Sequence, residues 1–256
     1  METNQIKVLL LVGPGASSKA VANTLAKAFN LEAIVLESKP SARRLLSRRA
    51  AKVGWVRTIG QGLFIAAARL AAFLSSNRIE ELYASFGMET REFPLQPVKV
   101  ESINDDATLK LVGNSQAQVI VVNGTRIITP SILSAAKVPI INVHMGITPK
   151  YRGVHGGYWA LARNDPENFG ATIHLIDTGI DTGRVLAQVR MSPLPGDNFL
   201  LFRVRQLGEA MPKLTEVIVD LAGGERAGLI TAGESRLHYH PTVWEYIYRR
   251  FRCGVK

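Results

Sequence analysis

Asn142, His144 and Asp181 are the residues of this chain whose types and spacing best suit acyl-transfer chemistry. The first two lie at the end of an apolar, β-branched run, VPIINVH, which predicts a buried strand. Side chains alternate along a strand, so Asn142 and His144 project from one face and can address one substrate. Downstream, GATIHLID predicts a second strand, and the glycine-rich turn TGIDTG can return Asp181 to the end of the first. A histidine can give a proton or hydrogen bond to a developing oxyanion, and a carboxamide can add a second donor. A nearby carboxylate can hold the imidazole, raise its pKa and help to remove the surplus proton of an attacking amine. Together they suit amine attack on an activated acyl or formyl carbon, with no covalent nucleophile. The competing reading is structural: Asn142 caps a turn, His144 is a satisfied strand-end histidine, and Asp181 sits in a solvated loop.

The elements that must position these groups are legible as alternating strands and helices. KVLLLV followed by GPGASSKAVANTLAKAF predicts a strand, a glycine turn and a helix, and Leu31 to Glu37 predicts the next strand. Gly13 and Gly15 permit a tight turn, Ser17 or Ser18 can cap the helix, and its N-terminus would favour an anion; a plain βα turn is the competing reading. Val98 to Ser102, Val119 to Asn123 and the run reaching Asn142 are further strands, with helices over Asn104 to Asn114 and from Pro130, where Thr129 is the candidate cap. Strands separated by helices predict a mostly parallel sheet, whose sites lie beyond the strands' carboxyl ends. After Asp181, GRVLAQVRM predicts an antiparallel return strand. Asp197 to Ala222 predicts a long helix interrupted or kinked near Pro212.

Residues 40–86 read as largely helical, longer than an ordinary crossover. The preferred reading is a helix that packs on the sheet; a lid, a dimer surface and a membrane-surface element are the alternatives. The net charge is +10, and the segment Lys39 to Thr58 holds seven basic residues (Lys39, Arg43, Arg44, Arg48, Arg49, Lys52, Arg57) and no acidic one. Such a patch can bind a phosphorylated substrate, nucleic acid or an anionic membrane, or be a solvated helix face. The tail HYHPTVWEYIYRRFRCGVK is aromatic and basic, able to stack on bases, meet a membrane surface or cover the main domain. His238 and His240 lack a ligand cluster around them, and no metal site is expected. One cysteine, Cys253, excludes an intramolecular disulfide framework, and no leader is evident around Ile6 to Val12, so a cytoplasmic protein is expected. Gly62 to Leu74 is apolar but interrupted by Arg69 and too short to span a bilayer.

The combination Asn-x-His at 142–144, PKYRG at 149–153, Gly-x-Thr-x-His at 170–174 and Asp-x-Gly at 177–179 resembles the catalytic core of the 10-formyltetrahydrofolate-dependent formyltransferases. That family includes glycinamide ribonucleotide, methionyl-tRNA and sugar-nucleotide N-formyltransferases. The resemblance runs over roughly residues 97–195, and more loosely over the first strand and helix. It implies a Rossmann-like α/β fold, with a mostly parallel sheet flanked by helices, and 10-formyltetrahydrofolate as formyl donor. It implies Asn142, His144 and Asp181 as catalytic residues. It places the donor on VIVVNGTRII, through Thr125, Arg126, Ile127 and Ile128, and on the loop Asp177, Thr178, Gly179 and Ile180. Gly13 and Gly15 match a phosphate-cradling first loop, and His155 and His174 occupy matching places near the acceptor, although each is as readily a structural histidine. Met145-Gly146 stands where the family often has Pro-Ser, which alters the wall beside the triad.

A catalytic domain over 1–195, including a helical insertion at 40–86, and a C-terminal helix and tail over 196–256 are expected. The 75 residues after Asp181 begin with a strand and helix, unlike the β-barrel usual in methionyl-tRNA members. The chain also starts at its first strand, unlike the hydrolases with an N-terminal regulatory domain. The expected acceptor is therefore the primary amine of a small molecule, most suitably a nucleotide-linked amino sugar, and nucleic acid is not the expected partner. Hydrolysis of the donor, other amines (glycinamide ribonucleotide, an amino-acid derivative, methionyl-tRNA) and a non-catalytic nucleic-acid or membrane binder are the alternatives. A homodimer and membrane-surface contact stay open.

Overall fold

A central strand buried on both faces organises the chain: β1, Lys7–Val12, is enclosed apart from Lys7. The computed structural model describes residues 2–39, 49–51, 53–225, 228–229, 231 and 233–255. Four of the seven basic residues of the 39–58 run, Arg43, Arg44, Arg48 and Lys52, lie outside the described residues.

After β1 come α1 (Ala16–Ala28), β2 (Asn30–Glu37), α2 (Trp55–Leu74), α3 (Ser76–Ser85) and β3 (Val98–Val100). Then follow α4 (Asp106–Asn114), β4 (Val119–Asn123), α5 (Pro130–Ala135), β5 (Ile140–His144), β6 (Arg152–Gly153), α6 (Gly156–Ala162) and β7 (Gly170–Leu175). The chain continues through β8 (Val185–Arg190), α7 (Phe199–Ala222), β9 (Leu237–His238) and α8 (Val243–Cys253). The main sheet has the order β3-β2-β1-β4-β5-β7-β8. Its first five strands are mutually parallel, β7 runs antiparallel to β5, and β8 returns antiparallel to β7, as expected for the Rossmann-like α/β class and for the return strand after Asp181.

The two-residue period of the strands sorts the core into two layers. Val8, Leu10 and Val12 of β1 join Val119, Val121, Ile141 and Val143 beneath α1 and α7. Leu9 and Leu11 join Ile120, Val122 and Ile140 beneath α4 and α5. A third, aromatic cluster of Tyr151, Tyr158, Trp159, Phe169, Phe199 and Phe202 lies under Phe64 of α2. Burying a phenylalanine as fully as Phe169 contributes roughly 3–5 kcal/mol relative to alanine.

Several local expectations are corrected. Ser17 and Ser18 do not cap α1, whose N-cap is Gly15 without a side-chain bond; both hydroxyls instead donate to Asn123 Oδ1 at 3.3 Å. Thr129 holds the N-cap position of α5 but makes no cap bond, its hydroxyl turning to Asn104. Pro212 does not interrupt α7, one helix from Phe199 to Ala222 that packs Leu207, Met211, Leu214 and Ile218 into the core. The helix over Trp55–Leu74 does not pack on the sheet. It lies across α7 and α8, buries only Thr58, Gly60, Gln61 and Phe64, and turns Trp55, Ile59, Leu70 and Phe73 outward.

The tail is tied in at both ends. β9 pairs with β6, and α8 begins with a capping box in which Thr242 and Glu245 satisfy each other's backbone N–H groups.

Candidate active site

β4 and β5 both end in polar residues at the carboxyl edge of the sheet, where a parallel sheet opens its crevice. β4 delivers Asn123; β5 delivers Asn142 and, two residues on, His144. The antiparallel neighbour β7 sets His174 opposite Asn142 and Thr172 opposite His144. The loop after β7 then folds back, with Asp181 in the left-handed region at φ 50°. Asp177 Oδ1 wires that loop by accepting from the Gly179 amide and the Thr182 hydroxyl.

The result brings the three candidate chemical groups together. Asp181 Oδ2 lies 3.3 Å from His144 Nδ1, and Asp181 Oδ1 lies 3.5 Å from His174 Nε2. His144 Nε2 is 2.7 Å from the Tyr151 carbonyl oxygen, which fixes a proton on Nε2 and leaves Nδ1 of the neutral ring as an acceptor. His174 Nδ1 faces the Leu175 carbonyl oxygen at 2.8 Å, and its Nε2 lies 3.3 Å from Asn142 Nδ2. That contact orients the Asn142 amide and leaves a hydrogen of Nδ2 for another partner. The Gly153 amide donates to Asp181 Oδ2 at 2.8 Å, and Arg152 Nη1 donates to the Ile180 carbonyl at 3.0 Å. The β6 segment therefore clamps the loop that carries Asp181.

Burial sets the charges. It pushes the His144 pKa below its usual value, more strongly than the nearby Asp181 carboxylate raises it. Burial works the other way on Asp181, but the His174 contact, the His144 ring and the Gly153 amide outweigh it and bring the carboxyl down to about 2. Near neutral pH the pair is therefore an imidazole lone pair beside a carboxylate, two acceptors on one wall of the cleft. A group bearing mobile protons, such as an amine attacking a carbonyl, is what satisfies both.

The cleft in front of them has a volume of about 490 Å³. Thr125, Arg126, Ile127, Ile128, Asp177, Gly179 and Ile180 line it, whereas Thr178 is exposed and does not. A second cleft of about 440 Å³ adjoins it beneath α2, and Met145, His155, Arg203 and His240 border both. Gly15 lines this second cleft. Gly13 lines neither: its amide donates to the Asn123 carbonyl at 2.9 Å, and a Cβ there would stand 2.1 Å from the Gly124 oxygen. Its glycine character serves the packing of two loops. Gly146 is equally constrained, since a Cβ would meet the Tyr151 oxygen at 2.4 Å and His144 Nε2 at 2.7 Å.

His155 Nε2 is 2.9 Å from His240 Nδ1. Burial, the neighbouring ring and Arg203 push His155 well below its ordinary pKa, and burial with Arg49 and Arg203 lowers His240 to about 4. Both rings are thus neutral near pH 7. Among the described residues no group of histidine, cysteine and carboxylate side chains could hold a metal ion.

Sequence reasoning missed Asn123, Glu37, Arg203 and His240. Glu37, 3 % exposed, accepts from the Arg126 and Ile103 amides and so holds the loop behind the cleft. Asn123 ends a buried strand much as Asn142 does, and that shared pattern could have found it. His240 stands 85 positions from His155, and no local signal joins them.

A mostly parallel sheet presenting a carboxamide, an imidazole and a carboxylate at its carboxyl edge defines a class of α/β site suited to handling an acyl group without a covalent nucleophile. The profile of the family described as formyl transferase matches residues 75–208, more than half of the chain. The chain belongs to that family. It is 34% identical over 124 residues to a methionyl-tRNA formyltransferase from Synechococcus sp. (strain JA-3-3Ab), covering 48% of this chain and 38% of that protein. Over 179 residues it is 29% identical to a GDP-perosamine N-formyltransferase from Brucella melitensis, covering 69% and 66% of the two chains. It thus spans about two fifths of the former relative's length and just under two thirds of the latter's. In fold it is similar to glycinamide ribonucleotide transformylase 1 from Symbiobacterium toebii, with a TM-score of 0.56 and 16% identity over 86% of this chain and 89% of that one. A sugar N-formyltransferase from Shewanella sp. FDAARGOS_354 gives a TM-score of 0.56 and 14% identity over 91% and 76%.

Proposed function

We propose that this chain transfers a formyl group from 10-formyltetrahydrofolate to the primary amine of a small molecule, and that this acceptor is a nucleotide-linked amino sugar. The observation that carries the reading is the meeting of Asn142, His144 and Asp181 on one cleft wall, with the histidine neutral and the aspartate ionised.

The residues fit the donor. Val122, Ile127, Ile128, Ile176 and Ile180 surround the larger cleft, with the peptide edges of 124–128 and 177–180 between them, a surface suited to a flat ring with a hydrogen-bonding rim. In the transfer, the acceptor nitrogen bonds to the formyl carbon and the bond from that carbon to the donor nitrogen breaks. The free hydrogen of Asn142 Nδ2 stabilises the oxyanion. His144 Nδ1 and Asp181 share the proton shed by the attacking amine, and it leaves on the departing donor nitrogen. His144 thus acts from Nδ1, because the Tyr151 carbonyl engages its other nitrogen.

For the acceptor, the second cleft supplies Ile65, Phe199 and Leu200 as apolar walls. Arg69, Arg203 and the N-terminus of α1 supply positive potential suited to a diphosphate. The GDP-perosamine relative, matched over the larger share of this chain, supports an amino sugar over tRNA.

The test is mass-resolved turnover of 10-formyltetrahydrofolate with nucleotide-linked amino sugars, glycinamide ribonucleotide, amino-acid amines and a control without acceptor. A sugar-nucleotide product heavier by one formyl group is expected. Formylation of another amine would replace the acceptor assignment, and donor consumption without any acceptor would make the protein a hydrolase.

A further inference from the structure

α2 is a helix with two apolar sides. Its inner side lines the second cleft through Ile65, Ala68 and Ala72, while on its outer side Trp55, Ile59, Leu70 and Phe73 are 56% to 77% exposed. α8 lies against it: a Cβ on Gly60 would stand 2.1 Å from the Trp244 ring, so that ring covers the helix backbone and joins the two helices into one surface. Phe251, 84% exposed, extends that surface along α8. Large apolar side chains exposed in series on one face are the mark of a surface that meets a non-aqueous partner.

The charges on this face are one-sided. α2 carries no carboxylate, and Glu245, the one carboxylate of α8, is paired with Arg57 at 3.6 Å; Arg250 and Arg252 of α8 are exposed, whereas Arg69 borders the second cleft and Arg249 turns inward to donate to the Ala162 carbonyl. A symmetric contact with a second copy would bring arginines against arginines, with no carboxylate left to answer them. RNA would be read by stacking rings, whereas Val56, Ile59, Leu63, Leu70, Leu74 and Ile247, exposed on the same two helices, are aliphatic and cannot stack. Apolar side chains edged by arginines match a bilayer with anionic headgroups.

The helix lies on such a surface rather than crossing it. Among the described residues no single helix is long and apolar enough to span a membrane; α2 and α3 pass only as a pair, and they are bent by 72°. The inner side of α2 is also spoken for, with Gln61 Nε2 donating to the His240 carbonyl at 2.7 Å and Phe64 packed edge-on against Phe199.

We infer that the α2–α8 face seats this protein on an anionic lipid bilayer, with Trp55, Ile59, Leu70, Phe73, Trp244 and Phe251 entering the acyl boundary and the arginines meeting the headgroups. The second cleft then opens behind the seat, because one helix forms both.

The test is co-sedimentation of the full chain with vesicles of phosphatidylglycerol and phosphatidylcholine, against phosphatidylcholine alone. The native protein is expected to bind the mixed vesicles and to leave the neutral ones largely unbound. Leu70→Asp/Phe73→Asp should lower the bound fraction about tenfold or more. Arg250→Gln/Arg252→Gln should weaken binding about fivefold per charge removed. All four positions are exposed, and an unchanged thermal unfolding curve confirms that each variant is folded. Absence of sedimentation with mixed vesicles overturns the inference. So does sedimentation that survives the two aspartates, or a native dimer that those aspartates dissociate without any vesicle binding. No step of the assay depends on formyl transfer, so its failure leaves the proposed reaction standing.

Discussion

The carboxyl edge of the sheet and the outer face of α2 and α8 were built under opposite rules. At the sheet edge, polar side chains are buried or half-buried, and each has its partner within the chain: Asn142 with His174, His144 with Tyr151 and Asp181, and Asp181 with Gly153. On the α2–α8 face, apolar side chains are exposed and have no partner within the described residues that would cover them. A buried polar group without a partner costs about 1–3 kcal/mol, so the first region is specified from inside. An exposed apolar side chain costs the fold little, so the second is specified by what lies outside.

Substitution should break this contrast at its sharpest point in the cleft. His144→Ala is expected to lower turnover about 10²–10⁴-fold, and Asn142→Ala about 10²–10³-fold, with circular dichroism unchanged. Near-native turnover in a folded His144→Ala protein would end the assignment. Acid should probe the same region more gently. His155, His238 and His240 all have folded pKa values below the usual 6.5, the latter two at about 4. Below pH 6.5 the unfolded chain therefore binds more protons. The stability gained by keeping these rings neutral is complete above that pH and is lost as pH falls toward about 4. The urea midpoint should decline across that window, and His240→Asn should flatten the decline; an unchanged slope would contradict the burial of that ring. The smallest effect belongs to the outer face. Leu70→Ser should alter unfolding free energy by no more than about 0.5 kcal/mol in water, and a much larger loss would mean that this side chain is already covered.

What was legible in the sequence follows the same division. A two-residue period needs no tertiary knowledge, so the strand ending in Asn142 and His144, and their common face, could be read directly. The return of Asp181 followed from glycines that permit a tight loop. The serine caps failed because Asn123, 105 and 106 positions away, competes for both hydroxyls. The site's other supports are equally remote in sequence: Glu37 reaches Arg126 across 89 positions. The position of α2 failed for a different reason. The helix is apolar on nearly every side, so periodicity gave no means of choosing its inner face, and only Thr58 and Gln61 mark that face in retrospect.

The pairing of β6 with β9 also has a consequence in time. Gly153, whose amide holds Asp181, is itself held by residues 237–238, and His240 borders both clefts. On a ribosome the sheet strands through β8 emerge well before these residues do. The nascent chain can therefore acquire its central sheet while the loop bearing Asp181 still lacks its clamp, which is complete only after residues 237–238 have been added.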